Sequence, residues 1–123
     1  MFNQTQQQTL RAAVDRIIPA DEFPSGWEAG VGDFLERLLT QEPRFLPGYQ
    51  RELDALEAQA EQNNHAPFAT LSPDAQDALL SRTDEIFLRL LVQQVQEGFY
   101  ADPGNGGNHN GIAWKMIGYR VTA

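Results

Sequence analysis

Cysteine is absent from all 123 residues, which closes disulfides, thiolate metal sites, cysteine nucleophiles and covalent haem attachment through C-x-x-C-H. Positive charge is scarce. The 9 Lys plus Arg stand against 17 Asp plus Glu, a formal net charge of −8 with both histidines neutral. Such a chain has no broad cationic face to displace counterions from nucleic acid or to meet anionic headgroups, so neither is an expected partner. No run approaches the roughly 20 apolar residues that span a bilayer, so direct membrane insertion is not expected. The stretch Met1 to Gln8 lacks a basic n-region, a twin arginine and an apolar h-region. As written, the chain is expected in the cytoplasm, and in the periplasm only if exported with a partner.

What is present is enough for a core. Hydrophobic residues make up 41% of the chain, and at this length a single helical domain over 1–123 is the expectation. Thr5 with Gln8 three residues on fits a capping box. Leu10, Val14, Ile17 and Ile18 follow at helical spacing, and Pro19 ends the helix because it pushes its predecessor out of the α region. An ordered turn, Pro19-Ala20-Asp21-Glu22-Phe23-Pro24-Ser25-Gly26, leads to a second helix with Val31, Phe34, Leu35, Leu38 and Leu39 on one stripe. Gly30 and Gly32 are expected to permit close packing near its start. Pro43 and Pro47 precede a third helix, solvent-facing on most sides, with Tyr49, Leu53, Leu56 and Ala60 along one face. Asn63-Asn64-His65-Ala66-Pro67 breaks it. Ser72-Pro73 is a cap followed by proline at the first helical position. The apolar positions from there to about Gln96 are Leu79, Leu80, Ile86, Phe87, Leu90, Leu91 and Val95. Their phase shifts after Leu80, and Thr83-Asp84 fits a new cap, so two helices are expected, with Gly98 as the stop. No alternating strand pattern and no internal repeat occur. The expected fold is all-α, a small orthogonal bundle of about five helices with a long ordered Gly/Asn/aromatic C-terminal loop.

That loop, from Gly98 to Tyr119, is where a site would be sought. Asp102, Asn105, Asn108 and Asn110 offer oxygen donors, but the EF-hand alternation with a terminal Glu is missing. The glycines follow no strand and form neither G-x-G-x-x-G nor a Gly-Lys-Ser/Thr ending. His65 and His109 sit alone in polar loops, and no serine sits in a nucleophile elbow. Acids on the helices read as solvated faces. The remaining reading is a loop whose glycines supply positive φ and whose asparagines bond their own backbone. Phe99, Tyr100, Trp114 and Tyr119 would pack it down or offer an interface, since aromatics dominate interface hot spots.

Ile17-Ile18-Pro19-Ala20-Asp21-Glu22-Phe23-Pro24, then Glu28-Ala29-Gly30-Val31, then Glu97-Gly98-Phe99-Tyr100-Ala101-Asp102-Pro103 with Gly106-Gly107-Asn108 and Trp114-Lys115-Met116-Ile117-Gly118-Tyr119, together resemble the gluconate 2-dehydrogenase subunit 3 family. The resemblance spans nearly the whole chain. It implies a small accessory subunit of a flavin-dependent sugar or sugar-acid dehydrogenase of the glucose-methanol-choline type. The large flavoprotein subunit would hold FAD and the catalytic residues, a cytochrome c subunit would carry electrons, and the small subunit would assist maturation and export. The chain itself would carry no cofactor, no metal and no catalytic residue. Two features depart from the family pattern: the twin-arginine signal is missing, and without cysteine no covalent link to a large subunit can form.

The expected partner-binding residues are Asp21, Glu22, Phe23 and Pro24 in the turn, with Phe99, Tyr100, Asp102, Asn108, Trp114 and Tyr119 toward the C-terminus. Tyr100 and Trp114 also fit a core role. Three alternatives stand beside this reading. One is a stand-alone binder of a sugar or sugar acid using the C-terminal aromatic and Asn side chains; another is an enzyme acting through His109 and Asp102; the last is a homo-oligomer.

Overall fold

The computed structural model describes residues 1–21 and 23–101, the last by its backbone alone. The described residues form five α-helices: α1 (Gln4–Ile17), α2 (Val31–Gln41), α3 (Leu46–Asn64), α4 (Pro73–Leu80) and α5 (Glu85–Ala101). Short 3-10 turns at Pro43–Phe45 and Phe68–Thr70 lie between them, and there is no strand among the described residues. The all-α expectation holds. From residue 102 onward, the expected C-terminal loop lies outside the described residues.

Helix α1 starts earlier than the Thr5–Gln8 reading. The cap is Asn3: the Gln6 N–H donates to Asn3 Oδ1 at 2.7 Å, and the Asn3 N–H donates to Gln6 Oε1 at 3.0 Å. Asparagine caps as well as threonine does, and a tertiary bond selects this frame. Gln6 Nε2 also donates to Asp54 Oδ1 on α3 at 3.0 Å, so the side chain that closes the cap also ties two helices together. Leu10, Ala13, Val14 and Ile17 form the buried stripe, and Ile18 leaves the α region before Pro19, as expected.

Tyr49, Leu53, Leu56 and Ala60 of α3 are all buried, so that apolar face closes the core against α1, α4 and α5. The helix ends on His65 in the left-handed region at φ 56°. Ser72 caps α4 by accepting from the Ala75 N–H at 3.2 Å, and Asp84 caps α5 by accepting from the Phe87 N–H at 3.1 Å. The phase shift after Leu80 is therefore a true break.

Two expectations along α5 are corrected. Ile86 is 80% exposed, because the buried face is set by Phe87, Leu91, Val95 and Phe99, and Ile86 sits about 100° away around the helix. Gly98 does not stop the helix, which runs on to Ala101. It lies against the ring of Phe34 on α2: a Cβ at position 98 would stand 2.7 Å from Phe34 Cδ2 and 3.2 Å from its Cβ. The glycine is there for approach, and α2 packs against α5 through it.

At the centre, the fully buried Tyr49 hydroxyl donates to Gln94 Oε1 at 2.6 Å, and its ring meets Phe87 edge-on with centroids 5.2 Å apart. Burial, with Glu97 adding to it, lifts the Tyr49 phenol well above the ordinary tyrosine range. Phe68 is also fully buried, and both of its backbone groups are satisfied. Its N–H donates to Glu57 Oε1 at 2.9 Å and its carbonyl accepts from Gln76 Nε2 at 2.9 Å.

Gly98→Ala should lower the melting temperature, because overpacking against Phe34 costs about 1–3 kcal/mol, against a helix-propensity gain of about 1 kcal/mol. An unchanged or raised melting temperature would contradict the close approach. The Tyr49 phenol keeps its proton in the folded chain, whereas the unfolded chain releases it near pH 10. Its contribution is therefore complete below that pH and is lost as pH rises beyond it. Tyr49→Phe should cost about 1–3 kcal/mol at neutral pH by leaving Gln94 Oε1 without its donor. In urea unfolding above pH 10, the same variant should lose stability less steeply than the wild type.

Candidate functional site

The connector from α1 to α2 is tied at nearly every step. The Phe23 N–H donates to Asp21 Oδ1 at 2.9 Å, and the Asp21 N–H donates to the Phe23 carbonyl at 3.1 Å, which closes the turn. The Gly26 N–H then returns to the Ile18 carbonyl at 2.8 Å. Ser25 is buried, and its hydroxyl donates to Glu28 Oε1 at 3.2 Å while accepting from the Glu28 N–H at 3.3 Å, a reciprocal arrangement like a helix capping box. The Trp27 N–H donates to Asp15 Oδ1 of α1 at 3.0 Å. Gly30 sits at φ 101°, which glycine adopts without strain, and the chain enters α2 from there. Gly30 thus serves the backbone turn, with nothing within 4 Å of a Cβ built on it, and only Gly32 fulfils the expectation of close packing.

At Gly32 a Cβ would stand 2.8–3.0 Å from three atoms of the Trp27 ring, so the indole lies directly on the helix backbone. Beside it opens a hollow of about 210 Å³, lined by Met1, by Phe2, Gln7 and Leu10 of the α1 region, by Trp27, and by Gly32 and Glu36 of α2. Glu36 also borders an open strip along α2 formed with Asp33, Arg37, Thr40 and Gln41. A 210 Å³ space falls below the roughly 300–1,000 Å³ of ordinary small-molecule pockets and suits one side chain.

The residues singled out from sequence fall elsewhere. Asp21 and Pro24 are exposed in the turn and Phe23 is half-buried, while Glu22 lies outside the described residues. Phe99 and Tyr100 are on α5 rather than in a loop; their rings meet edge-on at 5.5 Å, with Phe99 buried and Tyr100 half-buried. Burial raises the Tyr100 phenol, against the opposing effect of its hydrogen bond with Gln96. Asp102, Asn108, His109, Trp114 and Tyr119 lie outside the described residues. His65 is exposed at the end of α3. Among the described residues no three His, Asp or Glu side chains gather as a metal site, and no helix is long and apolar enough to cross a membrane.

Sequence reasoning passed over Trp27. The signal was the Ser25-x-x-Glu28 spacing, which marks a capped turn, followed by a glycine five residues after the tryptophan. It also read the acids on the helices as solvated faces, yet Asp15, Asp54 and Glu57 each accept a hydrogen bond that fixes another part of the chain. Asp77 does so as well, in a two-pronged pair with Arg16 at 2.9 and 3.1 Å that joins α4 to α1 and raises the arginine further.

The family model described as Gluconate 2-dehydrogenase subunit 3 matches residues 4–120, and the chain belongs to that family. Membership groups it with the accessory subunits of dehydrogenase complexes. No curated protein and no solved structure matches it.

Asp15→Ala should leave the Trp27 N–H without its acceptor at a cost of about 1–3 kcal/mol. The amide protons of Trp27 and Gly32 should then exchange faster than those of α3. Exchange unchanged across 25–32 would show that Asp15 does not hold the turn.

Proposed function

We propose that the chain is a non-catalytic accessory subunit or maturation partner of an FAD-dependent sugar or sugar-acid dehydrogenase of the glucose-methanol-choline type. The observation that carries this reading is the family match over residues 4–120, with motifs at both ends of the chain. FAD and the reacting groups belong to the large flavoprotein subunit, a cytochrome c subunit takes the electrons, and this chain supplies surface without a cofactor of its own. Its compartment follows that of the large subunit. The described surface supports the reading: its hollow offers an indole, an amide and one carboxylate, a set suited to recognising a side chain rather than to relaying protons.

Co-expression with the cognate flavoprotein subunit should give a co-purifying complex, with more FAD per large subunit than when that subunit is made alone. Separate elution and equal flavin content would overturn the proposal.

A further inference from the structure

The hollow between α1 and α2 brings together an aromatic face, a carboxylate and an amide, and Met1, which carries an α-amino group, also lines it. Glu36 is exposed, and its carboxylate has no ion pair or hydrogen bond among the described residues; the four ion pairs there involve Arg16, Arg44, Arg51 and Arg89. On the adjoining strip Asp33 and Arg37 carry opposite charges, so Glu36 supplies the carboxylate on which recognition would rest. Trp27 is held from both sides, by Asp15 at its backbone and by Gly32 under its ring, so little ordering is left for a ligand to impose.

An indole face attracts a guanidinium, a carboxylate accepts its forked N–H donors, and apolar walls cover its aliphatic stem. The chain already makes one such contact within itself, with the Arg44 guanidinium 4.7 Å from the Phe45 ring centroid. We propose that this hollow receives one arginine side chain presented by the large dehydrogenase subunit. That the presenting protein is that subunit rests on the accessory-subunit reading; the arginine site does not. Arginine fits better than lysine because its planar group can stack on Trp27 and reach Glu36 with the same donors.

Two measurements test it. In the first, the full chain is titrated with N-acetyl-argininamide and followed by NMR. The Gly32 amide and Trp27 indole signals should shift saturably, and the response should vanish in Glu36→Gln; no saturable shift up to the probe's solubility limit overturns the site. In the second, affinity for the large subunit should fall about tenfold in Glu36→Lys at unchanged melting temperature, while Glu61→Lys, an exposed charge reversal on α3, leaves it unaltered. Equal affinity of wild type and Glu36→Lys overturns the assignment and leaves the accessory role standing. A saturable probe response without large-subunit binding upholds the arginine site and removes the accessory role.

Discussion

Helix α2 is held where side chains are missing. At one end the Trp27 ring lies on the bare backbone of Gly32, and along its flank Phe34 lies on the bare backbone of Gly98. These two contacts fix how near α2 comes to the connector and to α5, and the rest of the packing follows from that distance. Val31, Leu35 and Leu39 reach the core only because the helix can come this close. Large rings over glycine also leave little room for sliding, since interiors are packed near crystal density.

The same contacts explain why the hollow has a definite floor. An indole on a flexible stem would make a poor wall, but this one is pinned below by α2 and behind by the Asp15 acceptor. The chain joins segments far apart in sequence through few polar bonds: Gln6 to Asp54, Glu57 to Phe68, Tyr49 to Gln94. Each buries or half-buries a polar group with its partner supplied, which is the condition under which such groups specify one arrangement.

Much of the fold was legible because it rests on spacing. The stripes on α1, α2 and α3, the Ser72-Pro73 start and the break before Asp84 are local signals, and local signals survive folding. What was not legible depends on contacts between distant segments. Gly98 has the composition of a stop, and only Phe34 makes it a packing residue. Ile86 matches the apolar spacing but lies one step off the buried face. Phe68 lies between two helices outside any apolar stripe, and its buried backbone groups are satisfied by Glu57 and Gln76 from elsewhere in the chain. The candidate site was hardest to read, since Phe2, Leu10, Trp27 and Glu36 lie on separate segments and share no motif. The residues chosen from the family resemblance lie in the turn, at the end of α5, or outside the described residues.

The carboxylates carry a last consequence. Asp15, Asp54, Glu57, Asp77 and Asp84 serve as fixed acceptors, whereas Asp33 and Glu36 face outward beside the hollow. The acid surplus is thus two populations under one number. An engineer raising the isoelectric point could recolour Glu36 at little cost to folding, whereas each change in the first population removes a bond that positions the chain, so net charge and architecture are not independent design variables in this protein.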